Sequence, residues 1–142
     1  MVRVLATGTF DLLHPGHLRY LSEARALGDE LYVIVARDSM IKHKQKPIVP
    51  EDQRLAMVKA LRIVDKAMLG SDRDIFEPLR EIEPDIIALG KNQFFNEKEL
   101  QVKLNASGIN AKVIRIQSFE QCELCSSASI IKRVLERNGK KL

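Results

Sequence analysis

The chain has 142 residues, of which 45% are apolar and 30% are charged, values typical of one soluble globular domain. No run of about 18 or more apolar residues occurs, and the first residues are too few and too β-like for a signal peptide, so we expect no membrane span and a cytoplasmic location. The net charge of +4 suits a polyanionic partner, but aromatic residues make up 5% and Trp is absent, so we expect a triphosphate rather than a nucleic acid.

Short apolar strands alternate with amphipathic helices through the first half of the chain. Pro15 suits the first turn of a helix, where its missing N–H costs nothing, and Gly28 suits the position just after a helix. Residues 37–50 are polar and basic, with two prolines, and predict a loop. The predicted elements are strand one at 2–7, a helix at 15–27, strand two at 31–36 and a helix at 51–62.

The same alternation continues through the second half. Ser71 and Asp72 are candidates to cap a helix that runs through Ile82 and ends before Pro84. The other predicted elements are strand three at 66–69, strand four at 86–89, a helix at 97–107, strand five at 112–116 and a last helix that begins at 126 or 127 and ends at 138.

Strands that alternate with helices at this spacing predict βαβ units and a parallel sheet. The unbroken apolar run at 86–89 supports this interpretation, because strands of parallel sheets are buried on both faces. We therefore predict an α/β fold: one Rossmann-like, doubly wound domain over residues 1–142 with a five-stranded parallel sheet. Ligands in such folds bind beyond the carboxyl ends of the strands, where the winding reverses.

The residues after strand one read GTFDLLHPGH over positions 8–17 and lead into the first helix. Gly8 allows a sharp turn, and Gly16 lets a ligand approach the backbone. A helix N-terminus offers unpaired N–H groups and partial positive charge, which suit phosphate. His14 and His17 lie three residues apart, so both can face one side of the first helical turn and donate hydrogen bonds to phosphate oxygens in a transition state.

The simpler alternative is that His14 only caps the helix and that His17 is an ordinary surface residue. One histidine alone would favour that alternative, but the H-x-G-H pattern between a strand and a helix favours a phosphate site. The segment resembles the H-x-G-H region of the cytidylyltransferase-like nucleotidyltransferase superfamily, and the similarity extends over nearly the whole chain. The resemblance implies that the nucleotide is contacted by Thr9, Phe10, His14, Pro15, Gly16 and His17.

A basic loop that contains Lys42, Lys44 and Lys46 follows strand two. A run of charges is usually a solvated face. Here the run lies at the predicted ligand-binding edge, and Lys44 and Lys46 match the K-x-K positions of glycerol-3-phosphate cytidylyltransferases. The resemblance therefore implies that both lysines bind the triphosphate and neutralise the leaving pyrophosphate. Arg54, near the start of the next helix, is a weaker candidate for the same role.

Two further elements of the resemblance follow strands four and five. Relatives often carry an aspartate at the position of Asn92, where it contacts the sugar or base, and asparagine keeps an acceptor oxygen. Gln93 is interpreted as an ordinary loop residue. Ser126 and Ser127 match a turn that closes over the phosphates in the family, and simple N-capping is the alternative. Phe119 either lines the base pocket or packs in the core.

Cys122 and Cys125 form a C-x-x-C pair directly before the Ser-Ser turn. Two cysteines are too few for a disulfide framework, and one such pair cannot complete a tetrahedral zinc site, so we expect no protein-bound metal. Archaeal FAD synthases carry paired cysteines at this place, whereas the cytidylyltransferases resemble the chain less here. We expect reduced thiols beside the site that make the protein sensitive to oxidation.

The resemblance to archaeal FAD synthases implies transfer of AMP from ATP to the phosphate of FMN with release of pyrophosphate. An ionised phosphate acceptor needs no general base, and Mg²⁺ is expected to bind mainly through the phosphates of the nucleotide. The alternatives are a CTP-dependent transferase, such as a glycerol-3-phosphate cytidylyltransferase, and a non-catalytic nucleotide-binding or redox-sensing module, against which the intact H-x-G-H argues. Relatives are commonly dimers, so a homodimer is a further hypothesis.

Overall fold

The computed structural model of the chain describes residues 1–42, 45–91, 93, 95–117 and 121–139. The predicted alternation of strands and helices is confirmed, and the strands predicted at 66–69 and 86–89 have the predicted bounds. A short 3-10 helix at Asp38–Met40 follows the second strand. The strands are β1 (Arg3–Gly8), β2 (Glu30–Val35), β3 (Lys66–Leu69), β4 (Ile86–Leu89) and β5 (Lys112–Arg115), and the helices are α1 (Pro15–Arg25), α2 (Glu51–Lys59), α3 (Glu77–Ile82), α4 (Glu97–Ala106) and α5 (Ser127–Asn138).

Within these described ranges, the five strands form one parallel sheet in the order β3-β2-β1-β4-β5. The chain runs outward from β1 through β2 to β3, then returns to the other side of β1 for β4 and β5. The winding therefore reverses between β1 and β4. This order confirms the predicted doubly wound α/β fold.

Both faces of the sheet are covered, as the alternation of side chains along β1 requires. Val4 lies in a buried cluster with Leu21 of α1, and its neighbour Leu5 lies in a second cluster with Leu104 of α4. Side chains of α2 join the first cluster and those of α3 join the second. Since successive residues of a strand point to opposite faces, α1 and α2 cover one face and α3 and α4 the other.

The helix predicted to begin at Ser71 or Asp72 begins instead at Glu77. Ser71 Oγ accepts hydrogen bonds from the backbone N–H groups of Arg73 and Asp74, at 3.2 and 3.3 Å. The serine therefore caps a tight turn, which serine side chains stabilise as readily as a helix start.

Among the described residues, no helix combines the length and the apolar character that crossing a bilayer requires.

Candidate active site

The crevice between the carboxyl ends of β1 and β4 is the topological switch point of the sheet. β1 pairs with β2 on one side and with β4 on the other, and the chain crosses between these neighbours in opposite directions. Open α/β sheets bind ligands in this position. The loop after β1 and the start of α1 lie at this edge, so the structure places the H-x-G-H residues at the expected site.

His14 is the N-cap residue of α1, and its ring holds the first turn together. His14 Nδ1 accepts a hydrogen bond from the backbone N–H of Gly16 at 3.0 Å. In the same way, His17 Nδ1 accepts from the backbone N–H of His14 at 3.3 Å. The two rings stack with their centroids 3.7 Å apart, which confirms that both histidines face one side of the first turn.

These contacts set the tautomer of both imidazoles. A neutral imidazole with an accepting Nδ1 carries its proton on Nε2. The proton of each ring therefore lies on Nε2, while its Nδ1 is engaged with the backbone. The alternative that His14 is only a cap is thus incomplete, since capping occupies one nitrogen of the ring and leaves the other as a donor.

Partial burial favours the neutral ring at His14. Desolvation lowers the pKa of His14 below its ordinary value of 6.5. Near pH 7 the ring is therefore a neutral hydrogen-bond donor and not a cation. Negative charge on a bound phosphate would favour the protonated form, so the free protein is the state to which this pKa applies.

We expect the titration of His14 to contribute to the pH dependence of the free energy of unfolding. Because the pKa is lower in the folded chain than in the unfolded chain, the unfolded chain binds more protons as the pH falls below 6.5. The stabilisation is complete above pH 6.5 and is lost as the pH falls through the folded-state pKa. We expect the free energy of unfolding to decrease more in the wild type than in His14→Asn between about pH 7.5 and about pH 5, measured by urea denaturation. Equal decreases would contradict the prediction.

The side chain of Phe10 is buried beneath the loop after β1, and the predicted nucleotide contact of this residue stays a prediction. It is 2% exposed and adopts a positive φ of 55°. Its ring lies against the position where a Cβ of Gly8 would be, at 2.9 Å, and 5.3 Å from the ring of His17. Phe10 therefore supports His17 from the core, and only its backbone remains to face a ligand.

Because Gly16 has no side chain, the turn before α5 packs closely against the segment that contains His14 and His17. A Cβ added to Gly16 would lie 2.8 Å from the ring of His14 and 3.0 Å from the carbonyl oxygen of Cys125. Ser127 Oγ also accepts from Leu12 N and donates to Leu12 O, at 3.2 and 3.3 Å. The N-termini of α1 and α5 therefore meet at one place, where both add partial positive charge.

Ser126 is the N-cap of α5, as one of the two interpretations predicted. Its side chain accepts from the backbone N–H of Ser129 at 3.0 Å, and Ser129 Oγ accepts from the backbone N–H of Ser126 at 3.2 Å. Together they form a reciprocal capping box. The second interpretation, a turn that closes over the phosphates, stays a prediction. The contact of Ser127 with Leu12 is consistent with it.

The basic loop after β2 is tied to the loop after β1 by Asp11. Its carboxylate accepts from the backbone N–H groups of Ile48 and Val49, at 3.0 and 2.9 Å. Lys46 Nζ donates to the carbonyl of Asp38 at 2.7 Å, and an ammonium group has two further donors for a phosphate. Lys44 lies outside the described residues, as do Asn92 and Phe119.

Arg54 is not a surface ligand for the triphosphate, because it is fully buried. Its guanidinium donates to the carbonyl oxygens of Val49, Thr9 and Ala36 at 2.7 to 2.8 Å and forms a 2.6 Å ion pair with Asp38. One side chain thus joins the segments that follow β1 and β2. Thr9, predicted as a nucleotide contact, meets Arg54 through its backbone, and Pro15 is an exposed first residue of α1.

A family model described as Cytidylyltransferase-like matches residues 5–133. The chain belongs to this cytidylyltransferase-like family. It is 67% identical over 139 residues to an FAD synthase of Methanococcoides burtonii, covering 98% of this chain and 97% of that one. It is 64% identical to an FAD synthase of Methanohalophilus mahii over the full length of both chains. The predicted resemblance is thereby confirmed.

A solved structure supports the same placement within the cytidylyltransferase-like fold. A lipopolysaccharide core biosynthesis protein from Thermoplasma volcanium superposes with a TM-score of 0.81 at 49% sequence identity, covering 84% of this chain and 99% of that one.

The cysteine pair of this cytidylyltransferase-like chain is oxidised in the structure, so the expectation of reduced thiols is wrong here. Cys122 and Cys125 form a disulfide with their Cα atoms 5.3 Å apart. A separation of three residues across a turn brings two Cα atoms within bridging distance, which a sequence does not distinguish from a reduced pair. The bridge lies in the segment whose Cys125 carbonyl contacts Gly16.

Reduction followed by alkylation of Cys122 and Cys125 is expected to impair activity. A bulky adduct at Cys125 would push the turn away from Gly16 and from the start of α1. The unreduced protein should resist the same reagent, because its thiols are joined. Pyrophosphate release before and after treatment is the measurement, with a Cys122→Ser, Cys125→Ser variant as the control for other effects of the reagent. Full activity after complete alkylation would reject the prediction.

Sequence reasoning missed the supporting residues of the site. Arg54 lies four residues before the buried Val58, and this spacing on one helix face was the available signal that an arginine points inward. Gln93 was interpreted as an ordinary loop residue, but its side-chain amide donates a hydrogen bond to the carbonyl of Thr7 in β1. Tyr20 and Arg115 also support the site, since they donate to the carbonyls of Ala88 and Gly90. For these two residues the sequence offered no signal beyond the general need of a buried polar group for a partner.

Proposed function

We propose that this chain is an FAD synthase, which transfers AMP from ATP to the phosphate of FMN and releases pyrophosphate. Relatives of this name are 67% and 64% identical over essentially the whole chain, in agreement with the sequence prediction. The observation that carries the chemistry is the stacked pair of His14 and His17, with both Nδ1 atoms bound to the backbone at a helix N-terminus.

The reaction needs charge stabilisation more than proton transfer. The phosphate oxygen of FMN attacks the α-phosphorus of ATP, a new P–O bond forms, and the bond to the β-phosphate oxygen breaks in line as pyrophosphate leaves. A phosphate monoester with a second pKa of about 6 is largely ionised near pH 7, so the nucleophile needs no base.

His14 and His17 would donate from Nε2 to the α-phosphate oxygens, whose charge grows in the transition state. Lys46, with Lys44 as a predicted partner, would neutralise the β- and γ-phosphates and so stabilise the leaving pyrophosphate.

The proposed Mg²⁺ would be held through the phosphates of ATP. Within the described part of the chain, no group of three or more His, Cys, Asp and Glu side chains is placed to hold a metal. When bound with the nucleotide, the ion would supply further neutralisation of phosphate charge.

Removal of divalent ions with a chelator is therefore expected to stop turnover, and added Mg²⁺ is expected to restore it.

The cytoplasmic location and the homodimer also remain proposals. The location rests on the sequence, which predicts neither a membrane span nor a signal peptide, and the dimer rests on the resemblance to the family. Sedimentation of the purified chain tests the dimer.

The decisive experiment offers ATP or CTP with FMN or glycerol 3-phosphate and measures pyrophosphate together with the product. We expect FAD from ATP and FMN. Product only with CTP and glycerol 3-phosphate would favour the cytidylyltransferase alternative. Absence of pyrophosphate from all four pairs, in the presence of Mg²⁺ and with or without a reductant, would favour the non-catalytic module.

A further inference from the structure

The strands β1 and β4 separate before either strand ends. Their pairing stops at Ala6 and Ala88. Beyond this point Thr7 still pairs with Ile34 of β2, and Leu89 still pairs with Arg115 of β5. The sheet therefore opens between β1 and β4 at the switch point, and we call this opening the fork. The pairing of β1 with β2 and of β4 with β5 continues beyond it. A fork leaves backbone groups on its inner edges that need other partners.

Tyr20 of α1 fills the base of the fork. Its hydroxyl accepts from the backbone N–H of Thr7 at 3.1 Å and donates to the carbonyl of Ala88 at 2.6 Å. One hydroxyl thus stands between the two strands where a direct N–H···O=C bond would otherwise join them. Burial raises the pKa of the Tyr20 phenol well above its usual range, so the group remains a donor.

Gln93 fills the fork one step further out. Its Nε2 donates to the carbonyl of Thr7 at 3.0 Å, and its Oε1 accepts from the backbone N–H of Gly90 at 2.7 Å. Arg115 holds this arrangement in place, because its Nη1 donates to the carbonyls of Gly90 and Gln93, both at 2.8 Å. Gln93 therefore links the end of β1 to the loop that follows β4.

The two side chains meet around Gly90. A Cβ at Gly90 would lie 3.5 Å from Gln93 Oε1 and 3.6 Å from the ring of Tyr20. Together they satisfy two backbone donors, at Thr7 and Gly90, and two backbone acceptors, at Ala88 and Thr7. A tyrosine hydroxyl and a glutamine amide each both donate and accept, as this task requires.

We propose that Tyr20 and Gln93 are positioning residues for nucleotidyl transfer, which hold the fork open and set the place of α1 against β1 and β4. Tyr20 lies three residues after His17, so it shares a face of α1 with that ring. Fixing the Tyr20 hydroxyl to both strands fixes how far α1 projects over the fork, and with it the Nε2 donors of His14 and His17. The inference rests on the proposed nucleotidyl transfer and adds the residues that align it.

The first test replaces the hydroxyl alone. Tyr20→Phe keeps the ring and is expected to lower kcat about 10- to 100-fold with a much smaller change in the KM for ATP, because a small displacement of aligned groups costs about this much. Tyr32→Phe is the matched control, since Tyr32 lies on β2 with its ring against Arg3. A Tyr20→Phe variant that is folded at the assay temperature and keeps the kcat of the wild type would overturn the proposal.

A second pair of variants uses pH to separate positioning from packing. In Gln93→Glu, an ionised carboxylate can accept from Gly90 but cannot donate to the Thr7 carbonyl, whereas the protonated acid does both. The Thr7 carbonyl raises the pKa of a carboxyl at this place, whereas the Gly90 N–H and the guanidinium of Arg115 lower it. The ratio of the kcat of Gln93→Glu to that of Gln93→Met should therefore rise as the pH falls from about 8 to about 5, because the fraction of protonated acid grows over this range. Parallel pH profiles for the two variants would contradict the proposal.

A readout without turnover keeps this test independent of the proposed function. The chain has three histidines, so the imidazole nitrogen signals of His14 and His17 can be assigned by NMR in the free protein. Tyr20→Phe should shift both signals and Tyr32→Phe neither. If the wild type formed no FAD, the proposed function would fail while these shifts still tested the positioning. Unchanged signals in Tyr20→Phe would count against it.

Discussion

Replacing His14 by asparagine is expected to lower the kcat of FAD formation about 100- to 1,000-fold, the usual effect of removing one donor to a developing oxyanion. Asparagine is a favoured N-cap residue and can accept from the backbone N–H of Gly16, as His14 Nδ1 does. It does not reach the position of Nε2. The variant therefore separates the two roles of the ring, and we expect the fold to survive while the chemical step slows.

His14→Gln is the matched control, because a glutamine amide extends to about the position of Nε2. It should recover part of the lost rate even though it is a poorer cap. Steady-state pyrophosphate release gives kcat and KM for each variant, and equal losses in kcat and kcat/KM would show that the contact forms only in the transition state. A His14→Asn variant within a few-fold of the wild-type kcat would remove the catalytic role of this residue.

The local features of the site could be predicted from the sequence. The strand at 86–89 was predicted with correct bounds because its apolar run is uninterrupted, and the meeting of His14 and His17 followed from helical spacing. Each of these predictions depends on residues within a few positions of one another. Such short-range patterns are set by the backbone periods of strands and helices, which a sequence displays directly.

The supporting contacts could not be predicted, because their partners are distant in sequence. Tyr20 binds a carbonyl 68 residues away, and Gln93 binds one 86 residues away. Both contacts exist only because the sheet order brings β1 beside β4. The burial of the Phe10 side chain could not be predicted either, since it depends on a positive φ that turns the ring into the core.

Arg54→Met is expected to reduce both the free energy of unfolding and the activity, since Arg54 joins the segments after β1 and β2. Methionine approximates the volume of the stem but leaves three carbonyl oxygens and the Asp38 carboxylate without their donor. Breaking a buried ion pair costs about 3–5 kcal/mol. We expect the lower end of that range, because Asp38 is 42% exposed and water can replace one of its contacts.

Arg80→Met is the matched control for removing an arginine from an ion pair. Arg80 donates to Asp74 at 2.8 Å, but both side chains are exposed, so stability should hardly change. Urea denaturation of the two variants therefore compares a buried arginine with an exposed one at similar pair distances. Equal stabilities would contradict the assigned role of Arg54.

Arg54→Lys distinguishes the charge of the arginine from its geometry. Lysine keeps the positive charge beside Asp38, but its single ammonium cannot reproduce a planar group that contacts Val49, Thr9 and Ala36 at once. We expect Arg54→Lys to recover part of the stability and less of the kcat, because the loop after β1 would remain imperfectly fixed. If stability and kcat recovered together to wild-type values, charge alone would suffice, and the network of carbonyl contacts would not position the site.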